Sequence, residues 1–101
     1  MMMIYVTCPT SSEADLISKH LVDKKLVACA NIFPVKSIYN WKNKMIKRDE
    51  TAIIMKTVKI NFKKVENEIL KLHSDKIPCI VGYEMKEIHR GYLKWLEKNV
   101  K

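Results

Sequence analysis

Two rhythms of apolar and polar positions alternate along the chain. "MIYVTCP" opens it with a short apolar, β-branched run that reads as a buried strand. "TSSE" then places Thr10 three residues before Glu13. This is a capping box, in which the Thr10 hydroxyl accepts from the Glu13 N–H and the Glu13 carboxylate reaches back. Behind it Ala14, Ile17 and Leu21 return at spacings of three and four, with Leu16 beside them, and predict a helix. That helix ends near "DKK", where lysines suit the negative end of the helix dipole.

The rhythm changes again in "ACANIFPVKSIYNW" and "TAIIMKT", two strand-like segments that predict the arms of one long hairpin. "KNKMIKRDE" between them offers the turn, with Asn43 as its tight point, and Pro34 marks a bulge or a bend. Side chains alternate along a strand, so Ile38 faces one way and Tyr39 and Trp41 the other. "NFKKVENEILKLH" is the clearest helix, with Phe62, Val65, Ile69 and Leu72 on one stripe. Pro78 opens a fourth strand, "PCIVGYEM". Tyr92, Trp95, Leu96 and Val100 form the apolar face of a short last helix. The order is β-α-β-β-α-β plus a terminal helix. That order predicts an α+β, ferredoxin-like sandwich spanning residues 1–101 as a single domain. The hairpin arms are longer than the sheet such a domain can cover. Their edges need partners, which points to oligomerisation through the hairpin.

Composition narrows the function classes. The chain has 101 residues, enough for one core, and no apolar run near the roughly 20 residues of a membrane span. Its start has no basic region and turns polar early, unlike a secretory signal. Cys8, Cys29 and Cys79 are odd in number and widely spaced, which argues against a disulfide framework and for a reducing compartment. The formal charge of +8 is spread, with acidic residues interleaved as in "KKVENEILK". Such a pattern reads as a solvated surface, so no nucleic-acid partner is expected. The aromatic strands of an RNA-recognition module are also missing. Catalysis finds no support: Gly82 and Gly91 form no phosphate loop, and Arg48 and Arg90 stand in neither place an acylphosphatase would need. The expectation is a protein that is not an enzyme.

Ala28-Cys29-x-Asn31-Ile32, Ser37-Ile38-Tyr39-x-Trp41, Lys56-Thr57 and Tyr92-Leu93-x-Trp95-Leu96 together resemble the CutA-type divalent-cation tolerance proteins. The resemblance runs from about Ile4 to Val100 in the same order and spacing. It implies a homotrimer of ferredoxin-like subunits joined by crossing hairpins, similar to the PII signalling proteins. It also implies a cytoplasmic role in tolerance of copper and other divalent metals. The chain departs from the family at His73-Ser74-Asp75, where His-Pro-Tyr is common, and at Pro78-Cys79, where Pro-Glu is common. The turn, often acidic in relatives, here reads "KMIKRDE".

Candidate site residues follow from these segments. Cys29 is a small buried hydrophobe or, as the resemblance implies, part of an intersubunit pocket with Asn31 on the same face. Tyr39 and Trp41 are either a packed subunit contact or a pocket wall. In the second case Lys56, from the other hairpin arm, presents its charge to a small anionic ligand or to the rings. His73 is the best metal candidate, since imidazole serves copper and zinc, although a histidine at a helix end also complements the dipole. Some relatives bind copper through a first-strand cysteine and histidines after the second helix. Cys8 is the matching cysteine, two positions along from the aligned place and on the same strand face. The cofactor expectation is therefore copper or another divalent cation, weakly bound. His20 and His89 are read as surface residues.

Overall fold

The computed structural model describes every residue, Met1–Lys101. Thr10 caps the first helix, its side chain accepting from Glu13 N–H at 3.2 Å. Elements run in the order β1 (Met2–Cys8), α1 (Ser11–Asp23), β2 (Cys29–Trp41), β3 (Lys44–Thr57), α2 (Phe62–Leu72), β4 (Ile80–Glu84) and α3 (Arg90–Lys98). The capping box is only half formed. The Glu13 carboxylate reaches away from Thr10 and accepts from Ser74 N–H at 3.1 Å, because that N–H, just past the end of α2, has no helical acceptor. Ala14, Ile17 and Leu21 are fully buried, whereas Leu16 is 54% exposed on the outer side of the helix. α1 closes with Lys25 at φ 59°, where Leu26 N–H donates to Leu21 O and Lys25 N–H to Val22 O. This is the left-handed helix stop that glycine usually supplies.

The strands form one antiparallel sheet in the order β2-β3-β1-β4, the ferredoxin-like arrangement. Alternation sorts its faces. Ile4, Val6 and Cys8 of β1 and Ile53 and Met55 of β3 point into the core with Ala14, Ile17, Leu21, Val65 and Ile69 of α1 and α2. Tyr5 and Thr7, between them in sequence, belong to the opposite face. Thr57 ties the layers together at the end of β3. Its hydroxyl donates to Leu26 O at 2.6 Å, and Asn61 Nδ2 donates to the same carbonyl at 3.2 Å.

Two expectations about the hairpin are corrected. Pro34 makes no bulge: the register runs unbroken from Cys29↔Lys56 to Trp41↔Lys44. β2 is an edge strand, where a residue without an N–H is tolerated. The turn is also shorter than "KNKMIKRDE". Only Lys42 (φ 51°) and Asn43 (φ 64°) turn the chain, both in the left-handed conformation that a two-residue type I′ turn demands. Lys44–Glu50 is strand. Since β1 pairs with β3 only over Thr51–Thr57, that half of the hairpin projects beyond the sheet.

Candidate metal and ligand sites

Two groups of functional side chains emerge, one beneath the helices and one beneath the projecting hairpin. In the first, the end of β1 brings Cys8, the first turn of α1 brings Glu13 and the last residue of α2's capping turn brings His73. One potential ligand atom from each lies within 4.8 Å of the others. The Cys8 and His73 of the sequence reading are thus brought together, and Glu13 joins them. Glu13 escaped notice because its position in "TSSE" already had a capping role.

His73 is held through both ring nitrogens. Its Nε2–H donates to Thr7 O at 2.8 Å. Nδ1 accepts the Asp75 N–H at 3.0 Å and lies 3.5 Å from Glu13 Oε2. Burial pushes the Cys8 thiol up to about 12, with the Glu13, Asp75 and Glu50 carboxylates adding to the effect. Thiol, carboxylate and imidazole are a donor set that suits copper or zinc. They fit such an ion on two conditions: Cys8 must yield its proton and Nδ1 must give up the Asp75 N–H. The geometry is that of a hydrogen-bonded cluster first and a ligand set second.

The second group lines a concavity of about 830 Å³ on the open face of the sheet, among them Tyr5, Tyr39, Trp41, Arg48, Glu50 and Asp75. Arg48 Nη2 donates to Glu50 Oε2 at 2.7 Å and to Asp75 Oδ2 at 2.9 Å. These two hydrogen bonds raise the Arg48 pKa further above its ordinary value. Glu50 is buried, with 5% of its side chain exposed, so the guanidinium is what permits a charge there. Lys42 and Lys76 also line the concavity, giving it three cationic groups against two carboxylates.

Within one chain the register sets Cys29, Asn31 and Lys56 apart from Tyr39 and Trp41, so a pocket holding all five would draw them from different subunits. Cys29 faces Lys56 and Asn31 faces Ile54 at the root of the hairpin, while Tyr39 faces Ile46 and Trp41 faces Lys44 near its tip. At roughly 3.4 Å per strand residue, root and tip stand about 40 Å apart. Tyr39 and Trp41 line the concavity; Cys29, Asn31 and Lys56 do not. Lys56 instead holds its Nζ 5.6 Å from the ring centroid of Tyr92 in α3. Asn31 is exposed and Cys29 half-buried. His20 binds Glu68 at 2.8 Å rather than standing free. Arg48 and Glu50 were legible as a same-face pair once "KRDE" is treated as strand, because a spacing of two returns to one face. Asp75 carried no such signal; the fold alone brings it to Arg48.

The chain matches the model of the CutA1 divalent ion tolerance protein over residues 2–99. It belongs to this family. A divalent-cation tolerance protein CutA from Archaeoglobus fulgidus is 39% identical over 96% of this chain and 95% of its own length. Another from Thermotoga maritima is 33% identical over 99% of both. The solved structure of the Archaeoglobus fulgidus protein, described there as periplasmic, superposes with a TM-score of 0.97 at 38% identity, covering 100% of each chain. CutA from Thermus thermophilus gives 0.95 at 34% identity, also covering 100% of each. The ferredoxin-like fold is thus shared with solved members of the CutA family. No helix of the chain is long and apolar enough to cross a membrane.

Proposed function

We propose that this CutA-family chain acts in divalent-cation tolerance as a cytoplasmic homotrimer that binds a divalent cation weakly, copper ahead of zinc, through His73, Cys8 and Glu13. It works by binding and not by catalysis. The observation that carries the metal reading is the convergence of thiol, carboxylate and imidazole within 4.8 Å. Weak binding follows from the Asp75 N–H already held by His73 Nδ1. Copper ahead of zinc follows the general order of divalent affinities. Three free cysteines support a reducing compartment. Trimerisation is supported by the projecting half of the hairpin and by apolar side chains left exposed in one chain, among them Ile38 at 66% and Met45 at 70%. The aromatic, net cationic concavity beside Tyr39 and Trp41 suits a small anionic ligand.

Calorimetric titration of copper and zinc into the wild type, His73→Ala and Cys8→Ser tests the metal reading. His73→Ala is expected to weaken copper binding strongly and Cys8→Ser more modestly. Sedimentation equilibrium at micromolar concentration is expected to give a trimer, and a monomer or dimer would remove that part. The second reading is a structural trimer that scaffolds partner proteins without metal function. The full hydrogen bonding of His73 favours it; a wild type that takes up neither copper nor zinc would decide for it, whereas identical copper affinity in wild type and His73→Ala would place the metal site elsewhere.

A further inference from the structure

The link between α2 and β4 touches both groups of side chains. Its Ser74 N–H is held by Glu13 at 3.1 Å and its Asp75 N–H by His73 Nδ1 at 3.0 Å, both acceptors being members of the Cys8–Glu13–His73 cluster. The Asp75 carboxylate, on the same residue, accepts from Arg48 of the hairpin at 2.9 Å. Ser74, Asp75, Lys76 and Ile77 then line the concavity together with Tyr39 and Trp41. Backbone atoms of this link are thus spent on the cluster, and its side chains on the cavity.

We propose that the Ser74–Asp75 link couples the Cys8–Glu13–His73 cluster to the hairpin cavity, since His73 Nδ1 can serve either a metal ion or the Asp75 N–H. The proposal rests on the metal reading above. Nδ1 has one lone pair, and Nε2 is committed to Thr7 O as a donor. For Nδ1 to become a ligand, Asp75 must withdraw its N–H. Ser74 N–H, bonded to the second member of the set, is drawn into the same rearrangement. Withdrawal of the Asp75 backbone carries its carboxylate off Arg48, which keeps Glu50 as its remaining partner at 2.7 Å. The cavity then loses the lining that Asp75, Lys76 and Ile77 supply. Linkage requires the converse: whatever braces Asp75 against Arg48 lowers metal affinity by the same factor.

The experiment uses zinc ions alone, which are redox-inert, with the full chain and two readouts. Amide hydrogen exchange reads the link directly. Zinc is expected to remove protection at Ser74 and Asp75, whereas a cluster that merely tightens around the ion would increase it. Calorimetry reads the coupling. Asp75→Ala, which keeps the backbone N–H and removes the hold on Arg48, is expected to bind zinc about fivefold tighter or more. Asp75→Asn, which keeps the shape, is expected to fall between it and the wild type. Zinc that fails to bind, or binds equally well to His73→Gln, overturns the metal reading and the coupling with it. Zinc that binds in a His73-dependent way while Ser74 and Asp75 become more protected, or with equal affinity in wild type and Asp75→Ala, overturns the coupling alone.

Discussion

β1 separates two environments that differ in how complete they are. Ile4, Val6 and Cys8 enter an apolar core closed by α1 and α2, all three fully buried. Tyr5 and Thr7, one residue away, open onto a face where aromatic rings stay half exposed and a carboxylate, Glu50, is buried against an arginine. A single chain finishes the first face and leaves the second unfinished. Stability and assembly should therefore respond to different residues, even along one strand.

The largest effect tests that division. Ile53 is fully buried on the helix-covered face of β3, so Ile53→Ala should cost about 2–5 kcal/mol at any protein concentration. Trp41 is 41% exposed in one chain, which is too open for a full core penalty. If neighbouring subunits cover it, Trp41→Ala approaches the roughly 3–5 kcal/mol of a buried aromatic, but only in the assembled protein. Thermal melts of both variants over a range of concentrations separate these behaviours. Equal, concentration-independent losses would erase the distinction between the faces, and a Trp41→Ala melt like the wild type would leave the indole in solvent.

A smaller effect sharpens the open face itself. Arg48→Ala leaves the Glu50 carboxylate, 5% exposed, without its partner and should cost about 1–3 kcal/mol in chemical denaturation. The double variant Arg48→Met with Glu50→Met removes both charges and should recover most of that loss, as buried ion pairs replaced together often do. A double variant as unstable as Arg48→Ala would mean the arginine acts by packing and not by compensating the carboxylate.

The legibility of the sequence follows the same division. On the helix-covered face, periodicity was sufficient: Ala14, Ile17, Leu21, Val65 and Ile69 all enter the core, because burying a stripe depends on spacing along one element. Cys8 and His73 became candidates through imidazole chemistry and the family resemblance, and only the fold brings them within reach of each other. The open face resisted because its meaning depends on register. Treating "KMIKRDE" as turn hid the alternation that sets Arg48 and Glu50 side by side. Lys56 and Trp41 were joined as residues on two arms of one hairpin, and register puts them at opposite ends of it within a single chain. Leu16 fell outside the core by rotation alone, one residue off the buried stripe.

The mildest test concerns the outer side of the helix layer, where a half-buried carboxylate meets solvent-reached cations. Glu68 of α2 accepts from His20 of α1 at 2.8 Å and from Lys71 at 2.9 Å, with Lys24 at 3.7 Å. The hydrogen bond from His20, then that from Lys71, lowers its pKa from 4.5 to about 2. A carboxylate held lower in the folded state than in the unfolded one adds stability that is complete above the unfolded value. That stability fades as pH falls from 4.5 and is gone below about 2, where both states carry the proton. The denaturation midpoint of the wild type should therefore exceed that of Glu68→Gln near pH 6, with the gap closing across this window. Added salt should shrink the gap at pH 6, because the groups are reached by solvent. The pair also joins α1 to α2, so its loss should loosen the helix layer while leaving the hairpin untouched. Amide exchange confined to the ends of the two helices would show that. Parallel midpoint curves for the two proteins between pH 6 and pH 2 would mean that Glu68 gains nothing from its cations, and that packing alone holds the layer over the sheet.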